Sequence, residues 1–326
     1  MTSGDQAPGE ATVLTEFTRF EHATVGIAYL IVCVVGVTSN LLTALTFYKD
    51  VRLLGGSRPW LHICLALANI GVVAPSPFPA SSSFSGRWLY GQAMCQLYAF
   101  EGMFFGISAI GSVAALCVER YYIASRLRSG AKGGSGWFYG WAVTLVSGNA
   151  LFWATMPLLG WSRYAMEHTG TSCAIDWRHP DDSYTSYMAT LTVFSFLVPL
   201  LAAWLCVHSA NLTLSDQPVS GSSESSQGQG STSAPEHKLD PITEFQLQSV
   251  CYIFLLLVLV GWGPFAFLCT TAMFGGSAGL SMLAASLPPL ACKLTVTLYP
   301  LTYAIISPRF RHSFMSVLGG TDRKQD

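Results

Sequence analysis

A single lysine stands inside one of the most apolar stretches of the chain. Lys293 lies within LACKLTVTLYPLTYAII, which runs from Leu290 to Ile306. A lysine at mid-membrane costs about 2.5–3.5 kcal/mol even on the most lenient insertion scale, so something must offset this cost. An ion pair with a neighbouring helix would do so. The other explanation is a neutral amine that attacks an aldehyde and forms a Schiff base. The residue type alone leaves both open.

The apolar stretches predict an all-α membrane protein. The chain is 51% hydrophobic and only 11% charged, whereas soluble domains carry about 25% charged residues. Seven runs reach the roughly 20 residues that a helix needs to cross a bilayer. Their backbone groups must be satisfied internally, so we expect a bundle of seven transmembrane helices in contact with membrane lipid. The runs lie near 24–48, 59–80, 95–121, 137–160, 184–208, 248–274 and 282–306.

The basic residues predict the orientation of this bundle. With the N-terminus outside, twelve Lys and Arg residues fall in the inner loops and tail, and four fall in the outer segments. This excess predicts an extracellular N-terminus, and we expect the protein in the plasma membrane. The net charge of −1 gives no indication of a nucleic-acid partner. The four outer residues are Arg19, Arg87, Arg163 and Arg178.

Around the helical domain, the sequence predicts two tails and one long inner loop. The outer tail spans 1–22, the seven-helix domain 23–318 and the inner tail 319–326. Within the domain, 214–240 is rich in Ser, Gly and Gln and predicts a flexible loop. The stretch SPRFRHSFMSVL alternates basic and apolar residues, which predicts a short amphipathic helix on the inner membrane surface.

Two cysteines and one glutamate have positions that suggest roles. Cys95 begins the third span at the outer face, and Cys173 lies in the outer loop between spans four and five. Both meet the oxidising side of the membrane, so we expect a disulfide between them. Glu101 is the only carboxylate inside a span away from its ends, which makes it one candidate partner for Lys293.

Several motifs together resemble those of rhodopsin-class G-protein-coupled receptors, and among these the opsins. They are SNLL at Ser39–Leu42, ERYY at Glu119–Tyr122, GWGPF in the sixth span and YPLTY at Tyr299–Tyr303. Lys293 lies seven residues before the proline of the last motif, where opsins carry their retinal lysine. The segment FWATMPLLGWSRYAMEHTGTSCAIDW resembles that of peropsin, neuropsin and the retinal G-protein-coupled receptor.

The resemblance implies a chromophore site. Retinal, as the 11-cis or the all-trans isomer, would be bound to Lys293 through a Schiff base. Many vertebrate visual opsins place their glutamate counterion where this chain has Tyr98. Glu167 resembles instead the loop counterion of non-visual opsins, and Glu101 is the second candidate. Tyr98, Trp262 and Phe265 would line the pocket, and no metal is implied.

The resemblance also implies a switch for a heterotrimeric G protein. The expected lock joins Arg120 to Glu119 and to Glu244 at the foot of span six, so that an outward swing of that span breaks it. Three departures from the family leave coupling open. Asn69 stands in place of an aspartate, Tyr299 stands in place of an asparagine, and the foot of span six, LDPITEFQLQ, lacks the basic cluster common in signalling opsins. The residues assigned to the switch are Glu119, Arg120, Tyr121, Glu244 and Tyr303.

Three functions are therefore compatible with the sequence. The first is a light-sensing receptor that couples to a G protein. The second is a retinal photoisomerase, an enzyme that converts all-trans to 11-cis retinal. The third is a receptor for a different ligand, in which Lys293 forms only an ion pair.

Overall fold

The computed structural model describes residues 17–54, 59–129, 136–215, 241–276 and 280–319, without the side chains of 52, 54 and 241–244. Seven helical spans form a bundle in these residues, as predicted. Four are interrupted or kinked. The helices are α1 Arg19–Lys49, α2 Trp60–Val73, α3 Pro77–Ser85, α4 Gly91–Ser129, α5 Gly136–Thr155, α6 Asp182–Leu191, α7 Val198–Ser215, α8 Pro241–Ala272, α9 Met282–Val296, α10 Leu298–Ile306 and α11 Pro308–Gly319.

Six of the spans are long and apolar enough to cross a membrane by length and composition: α1, α2 with α3, α4, α6 with α7, α8 from Phe245, and α9 with α10. The remaining span is α5, which has 20 residues. Helix α5 is less apolar than the other six spans. It contains Asn149, which forms hydrogen bonds with Ser195 and Trp153 inside the bundle. Its outer face is apolar, with Trp137 and Leu145 exposed.

Several spans begin or end at residues that differ from the sequence-based bounds. The first helix begins at Arg19 rather than near 24, because Thr18 and Glu21 form a capping box that satisfies the first amides. Residues 19–22 therefore belong to a helix and not to the predicted tail. The third span continues to Ser129. The predicted loop at 214–240 lies almost entirely outside the described residues, since helix α7 ends at Ser215 and α8 begins at Pro241.

The break in the second span exposes a carbonyl group to the bundle interior. Pro75 and Pro77 interrupt the helix between α2 and α3. The amide of Ser76, which would bond Val72 in a regular helix, bonds the carbonyl of Val73 instead. The carbonyl of Val72 is thereby released from the helical pattern and is available to a side chain.

A short hairpin connects spans four and five. Strand β1, Tyr164–Met166, pairs in antiparallel register with β2, Cys173–Ile175. Neither strand was expected from the sequence. Beyond the last ladder pair, the amide of Glu167 bonds the carbonyl of Ser172. Opposed residues share a face of a hairpin, so this pairing places both side chains on the same side.

The short helix expected after the seventh span is present. Helix α11, Pro308–Gly319, carries the predicted pattern of basic and apolar residues. Phe310 is buried against Phe47 and Tyr303, and Ser313 donates a hydrogen bond to Asp50 at 2.6 Å. These contacts attach the helix to the bundle at the end of α1.

Candidate functional site

Lys293 points into the bundle and has no aqueous surroundings. The residue is only 8% exposed, and its Nζ donates a hydrogen bond of 2.6 Å to the carbonyl of Val72. This is the carbonyl released by the proline break in span two. The ring of Tyr98 covers the amine at 5.4 Å from its centroid. A neutral carbonyl and an aromatic face are weak compensation for a buried ammonium, so the position favours an uncharged or covalently bound nitrogen.

Glu167 is held at the same cavity by the hairpin. Its backbone is paired with Ser172, and the Ser172 hydroxyl donates to its Oε2. Gly170 has a φ of +67°, the left-handed conformation that lets the hairpin turn back at this point. Burial raises the pKa of the Glu167 carboxyl; the Ser172 hydrogen bond and the charges of Lys293 and Arg178 oppose that rise. A positive charge on the Lys293 nitrogen therefore favours the carboxylate form.

The site consists of two adjoining cavities that share lining residues, and the first of them has a polar end. Its first part has an empty volume of about 620 Å³, and Tyr98, Glu167 and Lys293 line it. A second part of about 530 Å³ lies between spans three, five and six and is almost wholly apolar. Trp262 and Phe265 line both parts. The structure therefore places the predicted pocket residues Tyr98, Trp262 and Phe265 together around the site.

The side chain of Trp262 lies between the two parts of the site, and the residue opposite it on span three is a glycine, Gly106. A Cβ added to Gly106 would lie 2.3 Å from the Trp262 ring. Pro264 removes one amide from the helical pattern of α8 and kinks the helix near this point. The indole thus occupies space that any side chain at position 106 would fill.

Replacing Gly106 by alanine is expected to reduce ligand binding, because the new methyl group must displace the indole into the cavity. Such overpacking costs typically about 1–3 kcal/mol. The yield of ligand-bound protein and its thermal stability would measure the effect. Gly148→Ala is the matched control, since a Cβ there meets nothing within 4 Å. Equal behaviour of the two variants would show that the Gly106–Trp262 contact does not shape the site.

Glu101, the second counterion candidate, does not line this cavity. It is partly exposed on helix α4, whereas Tyr98, Ala99, Gly102 and Met103 form the cavity face of that helix. Glu167, by contrast, lines the cavity together with Lys293. The geometry therefore favours Glu167.

The loop that carries Glu167 is fixed at two points. The expected disulfide joins Cys95 of α4 to Cys173 of β2. At the other edge, Arg163 donates to Asp176 at 2.8 Å and to Asp181 at 3.0 Å. Burial raises the pKa of Asp176, but the hydrogen bonds from Arg163 and His179 outweigh it and hold the pKa below its usual value. The hairpin therefore lies over the cavity as a structured lid.

Removal of the disulfide should loosen this lid. Cys173→Ser is expected to cost about 2–5 kcal/mol, because the bond closes a loop across 78 residues. Protein at the cell surface and the half-life of the ligand complex would both fall. Cys33→Ser, which changes a free cysteine in α1, is the control. Unchanged surface yield and half-life in Cys173→Ser would contradict this account.

At the end of the bundle opposite the hairpin, only some of the predicted switch residues contact one another. Glu119 and Arg120 are fully enclosed and paired at 2.5 Å. Tyr121 is 44% exposed and faces away from that pair. The side chain of Glu244 lies outside the described residues. Tyr303 is buried and bonded to His62 of α2 at 2.5 Å.

Sequence reasoning missed the partner of Glu119 on span four. Tyr139 of α5 donates a hydrogen bond of 2.5 Å to Glu119 Oε1. The carboxylate is therefore held by an arginine of its own helix and by a phenol of the next span. No local pattern reveals this contact, because the two residues are 20 positions apart.

The polar core between spans two and seven contains amides in place of a carboxylate. Asn40 donates to the carbonyls of Gly36 and Val296, and Asn69 donates to Asn40 at 3.1 Å. The Oδ1 of Asn69 and the hydroxyl of Tyr299 are buried without a hydrogen-bond partner. Asn69 and Tyr299 are two of the positions at which the sequence departs from the motifs that it otherwise resembles.

Comparison with known proteins agrees with the seven-helix bundle. The chain belongs to the rhodopsin family of seven-transmembrane receptors: the family described as "7 transmembrane receptor (rhodopsin family)" matches residues 25–305. Within that family it is an opsin close to the peropsin group.

Two curated relatives and one solved structure illustrate this relationship. Retinochrome of Todarodes pacificus is 32% identical over 300 residues, which cover 91% of this chain and 94% of that protein. The visual pigment-like receptor peropsin of Homo sapiens is 29% identical over 307 residues, which cover 92% of this chain and 86% of that protein. Squid rhodopsin shares the fold, with a TM-score of 0.80 at 20% identity over 94% of this chain and 87% of that one.

Proposed function

We propose that the chain is a light-sensing receptor that holds retinal through a Schiff base at Lys293. The observation that carries this proposal is the placement of one buried amine at the wall of a cavity that adjoins a second, apolar cavity. Lys293 would hold retinal through a C=N bond to its amine, with water released on attachment, and the bound retinal would supply the absorption of visible light and the isomerisation. Membership of the opsins supports the same ligand.

The residues present fit this ligand. Lys293 lies in the first part of the cavity, where its hydrogen-bond partner is a neutral carbonyl, that of Val72. The second part, toward Met188 and Phe196, is apolar and suits a hydrocarbon body. Trp262 would contact the chain of the ligand between the two parts. Glu167 would stabilise a protonated nitrogen on Lys293, because an opposite charge favours the charged form.

For the signalling step, we propose that a heterotrimeric G protein binds at the end of the bundle that holds Glu119 and Arg120. This end would face the cytoplasm, with the hairpin outside the cell. Displacement of Trp262 would move span six, to which it belongs, and open the region around Arg120. The enclosed Glu119–Arg120 pair with Tyr139 supports a closed state that such a movement would break.

A retinal photoisomerase is the second candidate, and one observation favours it. The polar core between spans two and seven lacks the carboxylate found in relatives, and Asn69 and Tyr299 each bury an unpartnered polar atom there. A core of this kind would alter the transmission of movement between spans without affecting the cavity. The chain would then retain photochemistry at Lys293 with weak coupling.

Spectroscopy and nucleotide exchange separate these functions. Purified full-length protein would be incubated with 11-cis or all-trans retinal, and its absorption, the isomers extracted after light and the exchange of guanine nucleotide on added G protein would be measured. Light-dependent exchange supports the receptor. Conversion of all-trans to 11-cis retinal without exchange supports the isomerase. Absence of any retinal-dependent band with either isomer would overturn both and leave a receptor for another ligand.

A further inference from the structure

Tyr303 of the seventh span is attached to the second span by a histidine that no sequence motif distinguishes. His62 of helix α2 and Tyr303 of α10 lie 241 positions apart, yet Nδ1 of His62 and the Tyr303 hydroxyl are 2.5 Å from each other. Both side chains are buried, with 3% of each residue exposed. The hydrogen bond is therefore shielded from water and joins two different spans of the bundle.

The direction of this hydrogen bond follows from the groups around it. Nε2 of His62 is buried and has no partner among the described residues, and the only partner of the Tyr303 hydroxyl among them is His62. A neutral imidazole carries one N–H. If Nδ1 donated, both the phenol proton and the Nε2 lone pair would be unpaired. If the phenol donates to Nδ1, only the Nε2 proton is unpaired, so Tyr303 is the donor and His62 the acceptor.

The ring of Tyr303 lies between one helix that is expected to move and others that are not. It packs on Phe47 of α1 and on Phe310 of α11, with ring centroids 5.0 and 5.3 Å away. It also packs edge-on against Phe254 of α8, at 5.1 Å. Helix α8 is span six, whose outward movement is the proposed signalling step. His62 therefore ties to span two the one ring that contacts span six from span seven at this level.

There is space into which the phenol can move when it leaves His62. A cavity of about 290 Å³ adjoins Tyr303 and is lined by Leu247 and Val250 of span six and by Phe310 of α11. An outward movement of span six would widen it, because two of these lining residues belong to that span. The buried position of Tyr303 is thus one of two positions open to its ring.

We propose that His62 is a positioning residue of the receptor, which holds the Tyr303 phenol against span two and so favours the closed state of the bundle. In the open state, span six has moved away with Phe254, and the phenol has left Nδ1 of His62. The hydrogen bond then exists in the closed state alone. An interaction made in one state alone shifts the equilibrium toward that state. This inference rests on the proposed function in its receptor form.

The sign of the expected effect follows from this difference between the states. His62→Phe keeps a buried ring but offers the phenol no acceptor, so the closed state loses a hydrogen bond and the open state does not. The net contribution of one hydrogen bond corresponds to roughly a 2- to 12-fold change in a two-state equilibrium. Nucleotide exchange before illumination, relative to the rate after illumination, should therefore rise by roughly 2- to 12-fold.

A variant with a different acceptor separates the hydrogen bond from packing. In His62→Asn the side-chain oxygen can take the position of Nδ1 and accept from the phenol. We expect its exchange before illumination to stay close to that of the wild type. His208→Phe is the matched control, since His208 stacks on Trp204 at an exposed face of α7 and the ratio should not change.

The measurement uses the full-length pigment. Each variant would be combined with retinal in the dark, purified and mixed with G protein, and guanine-nucleotide exchange would be measured before and after illumination. Rates are normalised to the height of the absorption band, so that a lower yield of folded protein does not alter the ratio. His62→Leu takes the place of His62→Phe if the latter forms no pigment.

Each result decides the inference. A rise in His62→Phe that is absent from His62→Asn and His208→Phe would support it. A ratio in His62→Phe equal to that of the wild type would overturn it and leave the proposed function intact. An equal rise in His62→Phe and His62→Asn would show that packing of the imidazole matters rather than the bond, and would also overturn it. Wild-type pigment without light-dependent exchange would overturn the receptor and this inference together, while its absorption band would still report bound retinal.

Discussion

Lys293→Ala is expected to abolish the retinal pigment while leaving protein at the cell surface. Among the residues that the structure describes, no other lysine lines either part of the cavity, so retinal would have no amine to bind there. The change also removes the donor to the Val72 carbonyl, which costs about 1–3 kcal/mol. The height of the retinal-dependent absorption band, normalised to purified protein, is the measurement. We expect it to fall below detection.

Lys293→Arg is the matched variant that separates the two explanations of this lysine. Arginine keeps the positive charge and its hydrogen bonds but forms no Schiff base with an aldehyde. If Lys293 acts as an ion-pair partner alone, the arginine variant should resemble the wild type. We expect it to lose the pigment as completely as Lys293→Ala does. A retinal-dependent band of normal height in either variant would exclude attachment at position 293.

Glu167→Gln should shift absorption from the visible toward the near ultraviolet at pH 7. The carboxylate favours the protonated nitrogen, and its removal lowers the pKa of the Schiff base by roughly 1–3 units, the range for an opposite charge within about 4–6 Å. Glutamine keeps the size of the side chain and its hydrogen bond from Ser172. The midpoint of the spectral titration is the quantity to compare. Glu101→Gln, the control on span three, should move it much less.

A second change tests whether charge, rather than shape, explains the effect of Glu167→Gln. The ring of Tyr98 lies 5.4 Å from Lys293 Nζ, so a carboxylate at position 98 would be close enough to act on the nitrogen. Tyr98→Glu combined with Glu167→Gln should return the absorption toward the visible. A large drop of the midpoint in Glu101→Gln with none in Glu167→Gln would transfer the role to span three. Wild-type absorption confined to the ultraviolet would mean that neither carboxylate acts as counterion.

The features that sequence alone could predict are those set by composition and by short motifs. The seven spans follow from apolar length, and the Cys95–Cys173 disulfide follows from the outer positions of two cysteines. The amphipathic helix α11 follows from alternating basic and apolar residues. The spans and helix α11 depend on residues close together in the sequence, and the disulfide depends on which side of the membrane the two cysteines face. The structure agrees with all three predictions.

The position of Glu101 shows where sequence spacing was insufficient. Successive residues of a helix are rotated by roughly 100° about its axis. The cavity-facing residues are Tyr98, Ala99, Gly102 and Met103, and the middle of the face that they form lies about 70° around the axis from Tyr98. Glu101 lies about 130° from the middle of that face. Although Glu101 follows Tyr98 by less than one helical turn, Tyr98 faces the cavity and Glu101 lies outside it. The face that a buried helix presents depends on its neighbours, which the spacing does not reveal.

The contacts that sequence could not predict are all tertiary. Val72 becomes an acceptor for Lys293 only because the prolines after it alter the local hydrogen bonding, and the two residues are 221 positions apart. The strands of the hairpin have three residues each, too few for an alternating pattern. Their pairing nevertheless determines the position of Glu167 and its bond with Ser172.

The most direct test of the central claim is to locate the bound retinal on the wild-type chain. The pigment would be reduced with borohydride, which turns the Schiff base into a stable secondary amine, and the digested protein would be mapped by mass spectrometry. The account predicts a single modified peptide that contains Lys293 and carries the mass of the reduced retinal group. Retinal trapped on a different lysine, or an unmodified Lys293 in protein that shows the absorption band, would contradict it.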